Sequence, residues 1–287
     1  KIAVTVSREG LVSIIDLASG DFEQEIELDS IISAGIGGNE DVWLVATRDA
    51  NVIAVDAQKR KQLWKSRVSS EVLARPVIYK DSVIVRTIDG KIISLDIHSG
   101  KIRWQYQRAI PDLTLRGTSE PIIARDRIFA GLADGRLIAL SPENGEVVWD
   151  IALTVPSGRS EIQRLVDIDG DAELYGRVLY AASFQGRIAA IDVDRGQFLW
   201  ARDFSTHTGV TLDEKVLYSS DDNGHLWALD RLNGATIWKQ EKLAHRKLTR
   251  PTIIGDYLAV GDFEGYVHLL SRYDGRFIAR YQLGQYD

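Results

Sequence analysis

Short apolar runs recur along the whole chain, each bounded by glycine on one side and a carboxylate or serine on the other. Lys91-Ile92-Ile93-Ser94-Leu95-Asp96, Arg136-Leu137-Ile138-Ala139-Leu140 and Arg187-Ile188-Ala189-Ala190-Ile191-Asp192 represent the pattern. Runs of this length with these boundaries predict β-strands. The Asp-x-x-x-Gly stretch that follows predicts a hairpin turn, because Asp or Ser bonds its own downstream backbone and Gly supplies a positive φ. A preceding strand is predicted before each leading glycine, as at Ser82–Arg86, Arg127–Ala130, Val178–Ala181, Val216–Ser219 and Tyr257–Val260. A further strand opens several units beside a proline, at Arg75-Pro76-Val77, Glu120-Pro121-Ile122 and Arg250-Pro251-Thr252. Proline is tolerated at the first residue of a strand or on a sheet edge.

The runs fall into a repeating frame, G-x5-D-x3-G-x3-W. Gly90, Asp96, Gly100 and Trp104 define it, and it recurs as Gly135, Ser141, Gly145, Trp149. It recurs again as Gly186, Asp192, Gly196, Trp200 and as Gly224, Asp230, Gly234, Trp238. Degenerate copies read Gly10, Asp16, Gly20, Gln24; Ala50, Asp56, Arg60, Trp64; and Gly265, Ser271, Gly275, Ala279. The leading positions of the seven copies are separated by 40, 40, 45, 51, 38 and 41 residues. Four strands in about 40 residues is the period of a propeller blade. An isolated four-stranded sheet cannot bury both faces, whereas blades arranged side by side can. The expected fold is therefore an all-β propeller of four-stranded blades, one domain over residues 1–287, with seven repeats visible and eight blades in the complete ring. The first blade is expected to start at its second strand, and the closing blade to lie largely outside this sequence. Five of the seven Trp residues, Trp64, Trp104, Trp149, Trp200 and Trp238, stand at the last position of the frame. They are expected to fill the gaps between neighbouring blades.

Composition narrows the chemistry. There is no Cys, so disulfides, Cys-ligated zinc, iron–sulfur clusters and Cys nucleophiles are excluded within the sequence. Formal net charge is −6, and no Lys/Arg stripe marks a nucleic-acid face. No apolar run is long enough to span a bilayer as a helix. His98, His207, His225, His245 and His268 lack metal-ligand spacing, and neither G-x-S-x-G nor a phosphate-cradling loop is present. Asp167-Ile168-Asp169-Gly170-Asp171 invites a calcium reading, but its Gly stands at the fourth place where an EF-hand loop has it at the sixth. No cofactor, metal or catalytic activity is expected.

Departures from the repeat carry the functional reading. The separations of 45 and 51 flank the same unit. The first excess is Ala109–Gly117, the second Pro156–Asp171, and both follow a Trp strand and precede the next blade. Equivalent connections should be neighbours, offering exposed Leu and Arg beside paired Asp. Leu113, Leu115, Arg116, Arg164, Asp167 and Asp169 are the candidate partner-binding residues, since an apolar centre with charged anchors suits a protein interface. The alternative is that the two loops are merely long.

The frame resembles the repeat of quinoprotein-type propellers. One branch of these uses pyrroloquinoline quinone and carries adjacent Cys over the cofactor, which this chain lacks. A closer resemblance is to the BamB family, accessory lipoproteins of the machine that assembles outer-membrane β-barrels. It rests on Pro111-x-Leu113-x-Leu115-Arg116-Gly117, Ser160-Glu161-Ile162-x-Arg164-Leu165-x-Asp167-x-Asp169, His245-Arg246-x-Leu248-Thr249 and Gly261-Asp262-x-Glu264-Gly265-Tyr266. The resemblance implies a non-catalytic scaffold on the periplasmic side of the outer membrane, lipid-anchored in a longer precursor. It implies binding to the POTRA domains of BamA through Leu113, Leu115, Arg116, Asp167 and Asp169, alongside other assembly-machine subunits and unfolded outer-membrane proteins. The lipid-bearing N-terminal Cys is absent from this sequence. Two other readings stand beside it: a quinone- or small-molecule-binding propeller enzyme, and a generic interaction propeller of the WD40 type.

Overall fold

The computed structural model describes residues 2–111, 113–114 and 119–283. Among these, every regular element is a strand, and the strands form seven antiparallel sheets connected in simple meander order. Sheet 1 has three strands, Ile2–Val6, Leu11–Asp16 and Phe22–Glu27. Sheets 2 to 7 have four each, and every sheet corresponds to one copy of the sequence frame. The all-β propeller expected from the repeat is the fold class observed.

By compactness the chain divides into two units: residues 1–110 with 123–130 and 140–148, and residues 111–122 with 131–139 and 149–287. The first has its core on Leu44, Ala46, Val83, Val85, Ile93 and Leu95, with a second cluster around Val12, Ile14, Val45 and Ile53. The second has its core on Tyr180, Ile188, Leu217 and Leu229, continued by Tyr218, Leu226, Leu258 and Leu270. Strand Ser82–Arg86 is buried at all five positions, and its neighbour Lys91–Asp96 at the four central ones. A strand covered on both faces has no solvent side to mark with polar residues. That explains why the second and third strands read as apolar runs rather than as strict alternation.

The frame's Trp and the next copy's turn are two halves of one joint. The indole N–H of Trp64 donates to the Ile97 carbonyl at 2.7 Å, and that of Trp104 to Pro142 at 2.9 Å. Trp149 donates to Val193 at 2.8 Å, Trp200 to Arg231 at 2.9 Å and Trp238 to Arg272 at 3.1 Å. Each acceptor directly follows the Asp or Ser of the next frame. The glycine three residues further on lies against the same ring: a Cβ on Gly196 would stand 2.6 Å from Trp149, and one on Gly275 2.6 Å from Trp238. These glycines have φ 63° and 69°, so the turn needs glycine for its backbone and the ring needs it for space. A β-bulge precedes the Trp where the third and fourth strands pair, as between Ser94/Leu95, Ala190/Ile191 and Ala228/Leu229. The extra residue re-aims the strand and turns the indole toward the neighbouring sheet.

The joint between copies 1 and 2 is chemically different. Arg60 stands at the glycine position with φ 56°, where in copies 3 to 7 a Cβ would meet the indole ring. The preceding copy carries Gln24 instead of Trp. Arg60 donates to Gln24 Oε1 at 2.9 Å and to Glu23 Oε2 at 2.8 Å.

If the ring contact is what excludes a Cβ, two glycines of similar φ should differ. Gly20 has φ 80° and no atom within 4 Å of the place a methyl group would take, whereas a methyl on Gly196 would meet Trp149. Gly20→Ala should cost about 1 kcal/mol for backbone strain, and Gly196→Ala about 1–3 kcal/mol more for overpacking. Chemical denaturation of the two variants measures this, and equal losses would mean the Trp contact contributes nothing.

Candidate functional site

The two long connections run from Ile102–Gln107 to Ile122–Ala124 and from Val147–Ala152 to Glu173–Tyr175. In the first, Leu113 is exposed, and Leu115 and Arg116 lie outside the described residues. The second has two parts of opposite character. Residues 155–164 form an exposed tip, and residues 166–168 and 170 a buried strap.

The tip is a single turn stabilised locally. Ser160 Oγ accepts from the Gln163 N–H at 3.3 Å, and Gln163 Oε1 accepts from the Arg159 N–H at 2.9 Å. This reciprocal arrangement satisfies the free N–H groups at the start of a turn, as a capping box does for a helix. Gln185 Nε2 donates to the Ile162 carbonyl at 3.3 Å, tying the tip to sheet 5. Val155 is 70% exposed and Ile162 69%, large apolar side chains held in water by a short fixed turn. Arg164 is exposed beside them.

The strap is integrated into the sheets. The Phe184 N–H donates to the Asp167 carbonyl at 2.8 Å, and the Ile168 side chain fills the space above Gly131, where a Cβ would approach to 2.3 Å. Asp171 pairs in parallel with Gly209, and the Val210 N–H donates to its carbonyl at 3.0 Å. Gly170 and Gly209 pass so closely that a Cβ on Gly170 would reach within 2.2 Å of the other backbone. Asp167 is buried, and all four carboxylate oxygens of Asp167 and Asp169 are withdrawn from solvent. The sequence sets these two residues beside exposed Leu and Arg as candidate partner-binding residues, and the structure encloses their carboxylates. They lie inside because the apolar residues between and before them, Ile168 and Val166, are drawn into the core and take the backbone with them.

The two connections meet. Ser119 Oγ donates to the Ile168 carbonyl at 3.0 Å, and the Glu120 N–H donates to Asp171 Oδ1 at 3.2 Å. Asp171 is held from its other side by Arg250 of the seventh copy, whose Nη1 donates to Oδ2 at 3.1 Å. Arg250 also pairs with Glu173 and donates from Nε to Thr211 Oγ1 at 3.0 Å. Burial pushes the Glu173 carboxyl up, against the opposing pull of the Arg250 guanidinium. Asp171 is thus the node that joins both connections, and Arg250 is its brace. Neither is among the residues expected from sequence, although a signal exists. Arg250 and Glu120 each stand immediately before a strand-opening proline, at equivalent places in their copies. Asp171's carboxylate is engaged by a guanidinium and an amide, and among the described residues no cluster of three or more His, Asp or Glu is arranged to hold a metal ion.

The remaining two stretches on which the family resemblance rests also come together. Arg246 pairs with Asp262 and, at 2.6 Å, with Glu264; the Thr249 N–H donates to the Gly261 carbonyl at 2.9 Å. Asp262 is fully enclosed and also receives His268 Nε2 at 2.7 Å. Burial would raise its carboxyl, but hydrogen bonds from Arg246, His268 and the Tyr266 N–H hold it down at about 2.

Four-stranded sheets, the period near 40 residues and the Trp–turn joints define a quinoprotein-like β-propeller bearing two braced inter-sheet connections. The family model described as outer membrane protein assembly factor BamB matches residues 8–240. BamB of Bordetella pertussis is 38% identical over 277 residues, 96% of this chain and 72% of that protein. BamB of Kangiella koreensis is 38% identical over 283 residues, 99% of this chain and 73% of that protein. The crystal structure of BamB from Moraxella catarrhalis superposes with a TM-score of 0.91 at 32% identity, covering 99% of this chain and 87% of that one. A quinohemoprotein alcohol dehydrogenase from Comamonas testosteroni shares the fold at a TM-score of 0.80 and 12% identity, over 99% of this chain and 66% of that one. The chain belongs to the BamB family.

Two expectations follow from the geometry. Removing the brace with Arg250→Ala should speed trypsin cleavage after Arg159 and Arg164 several-fold while the denaturation midpoint moves little. An unchanged cleavage rate would show that the tip is fixed without Asp171. For Asp262, a folded pKa below the ordinary value means stabilisation that is complete above about pH 4 and lost as pH falls toward 2. The stability difference between wild type and Asp262→Asn should therefore shrink over that range, and a difference independent of pH would refute the assignment.

Proposed function

We propose that this chain is a non-catalytic scaffold in the assembly of outer-membrane β-barrel proteins, and that it binds the POTRA region of BamA through the two long connections. The observation that carries the reading is the exposed apolar tip on a braced support, at the segments where the family resemblance implies partner contact. Leu113 and Ile162 would be apolar anchors, with Leu115 and Arg116 contributing as the resemblance implies and Arg164 at the rim. Asp167 and Asp169 would act from within, fixing the strap that carries the tip. Apolar anchors surrounded by charged residues match the anatomy of a protein interface, in which a few residues supply most of the affinity. Preorganisation by Asp171 and Arg250 would lower the ordering cost of binding. In a longer, lipid-anchored precursor the scaffold would act on the periplasmic side of the outer membrane, helping to deliver or orient unfolded barrel proteins.

Calorimetry with purified BamA POTRA domains tests this. Wild type should bind, and Ile162→Asp and Arg116→Glu should each weaken binding at least ten-fold, about 1.4 kcal/mol. Binding that is unaltered in both variants would move the site off these loops. No binding by folded wild type would overturn the partner.

A further inference from the structure

Below the tip runs an open groove of about 360 Å³. Thr154 and Val155 form one wall, and Gln185, Gly186, Arg187 and Asp203 the other. Its floor departs from the same place in other copies. The leading glycines Gly90, Gly135, Gly224 and Gly265 have φ 81°, 75°, 82° and 80°. In copy 5 the left-handed residue comes one place earlier, at Gln185 with φ 49°. Gly186 is a strand residue instead, and a Cβ there would meet the Thr154 and Ser183 hydroxyl oxygens, which share a hydrogen bond at 2.7 Å. A non-glycine residue in the left-handed region carries backbone strain, and such strain concentrates at functional sites. Here the shifted turn leaves the groove floor bare and sets Gln185 across to the tip. The Gln185 N–H donates to Ser205 Oγ at 2.8 Å, and its Nε2 reaches the Ile162 carbonyl. Groove and tip are thus one continuous surface, with Val155 common to both.

Three exposed arginines belong to this surface. Arg187 lines the groove, and Arg159 and Arg164 flank Ile162 in the tip. Arg159 and Arg164 have no ion-pair partner among the described residues. Arg187 has Asp203 at 3.7 Å, but that carboxylate is 97% exposed, and a pair so open to water contributes little. Glu161 is the other carboxylate of the surface. In a chain of net charge −6, a cluster in which arginines outnumber carboxylates is a local reversal of sign. Arginine beside exposed apolar side chains is also the composition favoured at protein interfaces.

We propose that tip and groove receive an acidic face of the partner: an apolar side chain enters the groove against Val155 and the bare Gly186, and carboxylates around it pair with Arg159, Arg164 and Arg187. The inference rests on the POTRA-binding reading above and adds the chemistry of the face that is recognised. A guanidinium fork matches a carboxylate in two parallel hydrogen bonds, so an incoming carboxylate held in place by the docked surface displaces the loosely placed Asp203 from Arg187. Charges of opposite sign on the two faces also steer the encounter, and salt screens that attraction.

The test is calorimetry of the full chain with purified BamA POTRA domains at about 50 mM and about 500 mM salt, a range over which the screening length falls several-fold. Wild type should bind at least ten-fold more weakly at the higher salt. The triple variant Arg159→Ala/Arg164→Ala/Arg187→Ala should bind at least ten-fold more weakly at low salt and lose most of the salt dependence. A control, Arg195→Ala/Lys215→Ala/Lys242→Ala, removes the same charge from exposed positions outside the tip and groove and should behave as wild type. Val155→Asp, which sets a carboxylate at the groove wall, should also weaken binding at least ten-fold. Binding indifferent to salt, a control weakened as much as the tip variant, or unaltered binding by Val155→Asp overturns this proposal and leaves the POTRA reading standing. Absence of binding by folded wild type at low salt overturns both.

Discussion

An indole seated on a glycine turn is the interaction on which the rest of this structure depends. Each sheet has two faces to bury and only its neighbours to bury them against. The Trp N–H bonded to the following copy's carbonyl fixes the distance and direction of that contact, and the glycine beneath the ring makes room for it. The hydrogen bond satisfies a donor that burial would otherwise leave unpaired. The bulge before each Trp supplies the aim. Strand pairing builds a sheet, but this joint makes a succession of sheets into a fold.

The repeat is legible in the sequence because it is written in residues with special backbones or large side chains. Gly, Asp, Pro and Trp recur at fixed spacings, and the strands follow from them. The architecture of the long connection is not legible in the same way. Its 166–171 stretch looks like an acidic loop when read by composition. In the structure the apolar residues Val166 and Ile168 decide its path, and the carboxylates of Asp167 and Asp169 follow them inside. Sequence distance hides the brace as well: Arg250 stands 79 residues from Asp171, and nothing local to either residue announces the other. Leu113 and Arg164 stand out because apolar and cationic residues in an insertion have few structural reasons to be there. Ile162 is more exposed than Leu113, yet in the sequence nothing but its place in a motif distinguishes it.

Rigidity and accessibility are divided between neighbouring residues within one loop. The tip carries the large apolar side chains into water, while the strap a few residues away is bonded to sheets 4, 5 and 6. Such a division suits a binding surface, because an anchor residue on a fixed support loses little freedom when its partner arrives. It also explains why glycines cluster at Gly131, Gly170 and Gly209: the strap passes so near its neighbours that no side chain fits at these crossings.

The Gln24–Arg60 joint has a consequence for the order of the repeats. Elsewhere one copy ends in Trp and the next offers glycine, so those copies share a common coupling. Copy 2 accepts with Arg60 and donates with Trp64, which makes it an adaptor between two incompatible couplings. It can follow copy 1 and precede copy 3, but a Trp-ending copy placed before it would set an indole against the Arg60 Cβ, where a Cβ on the corresponding glycines would stand within 2.7 Å of the ring. The chain therefore carries its own punctuation: one polar joint interrupts a run of sheets that otherwise share a single coupling.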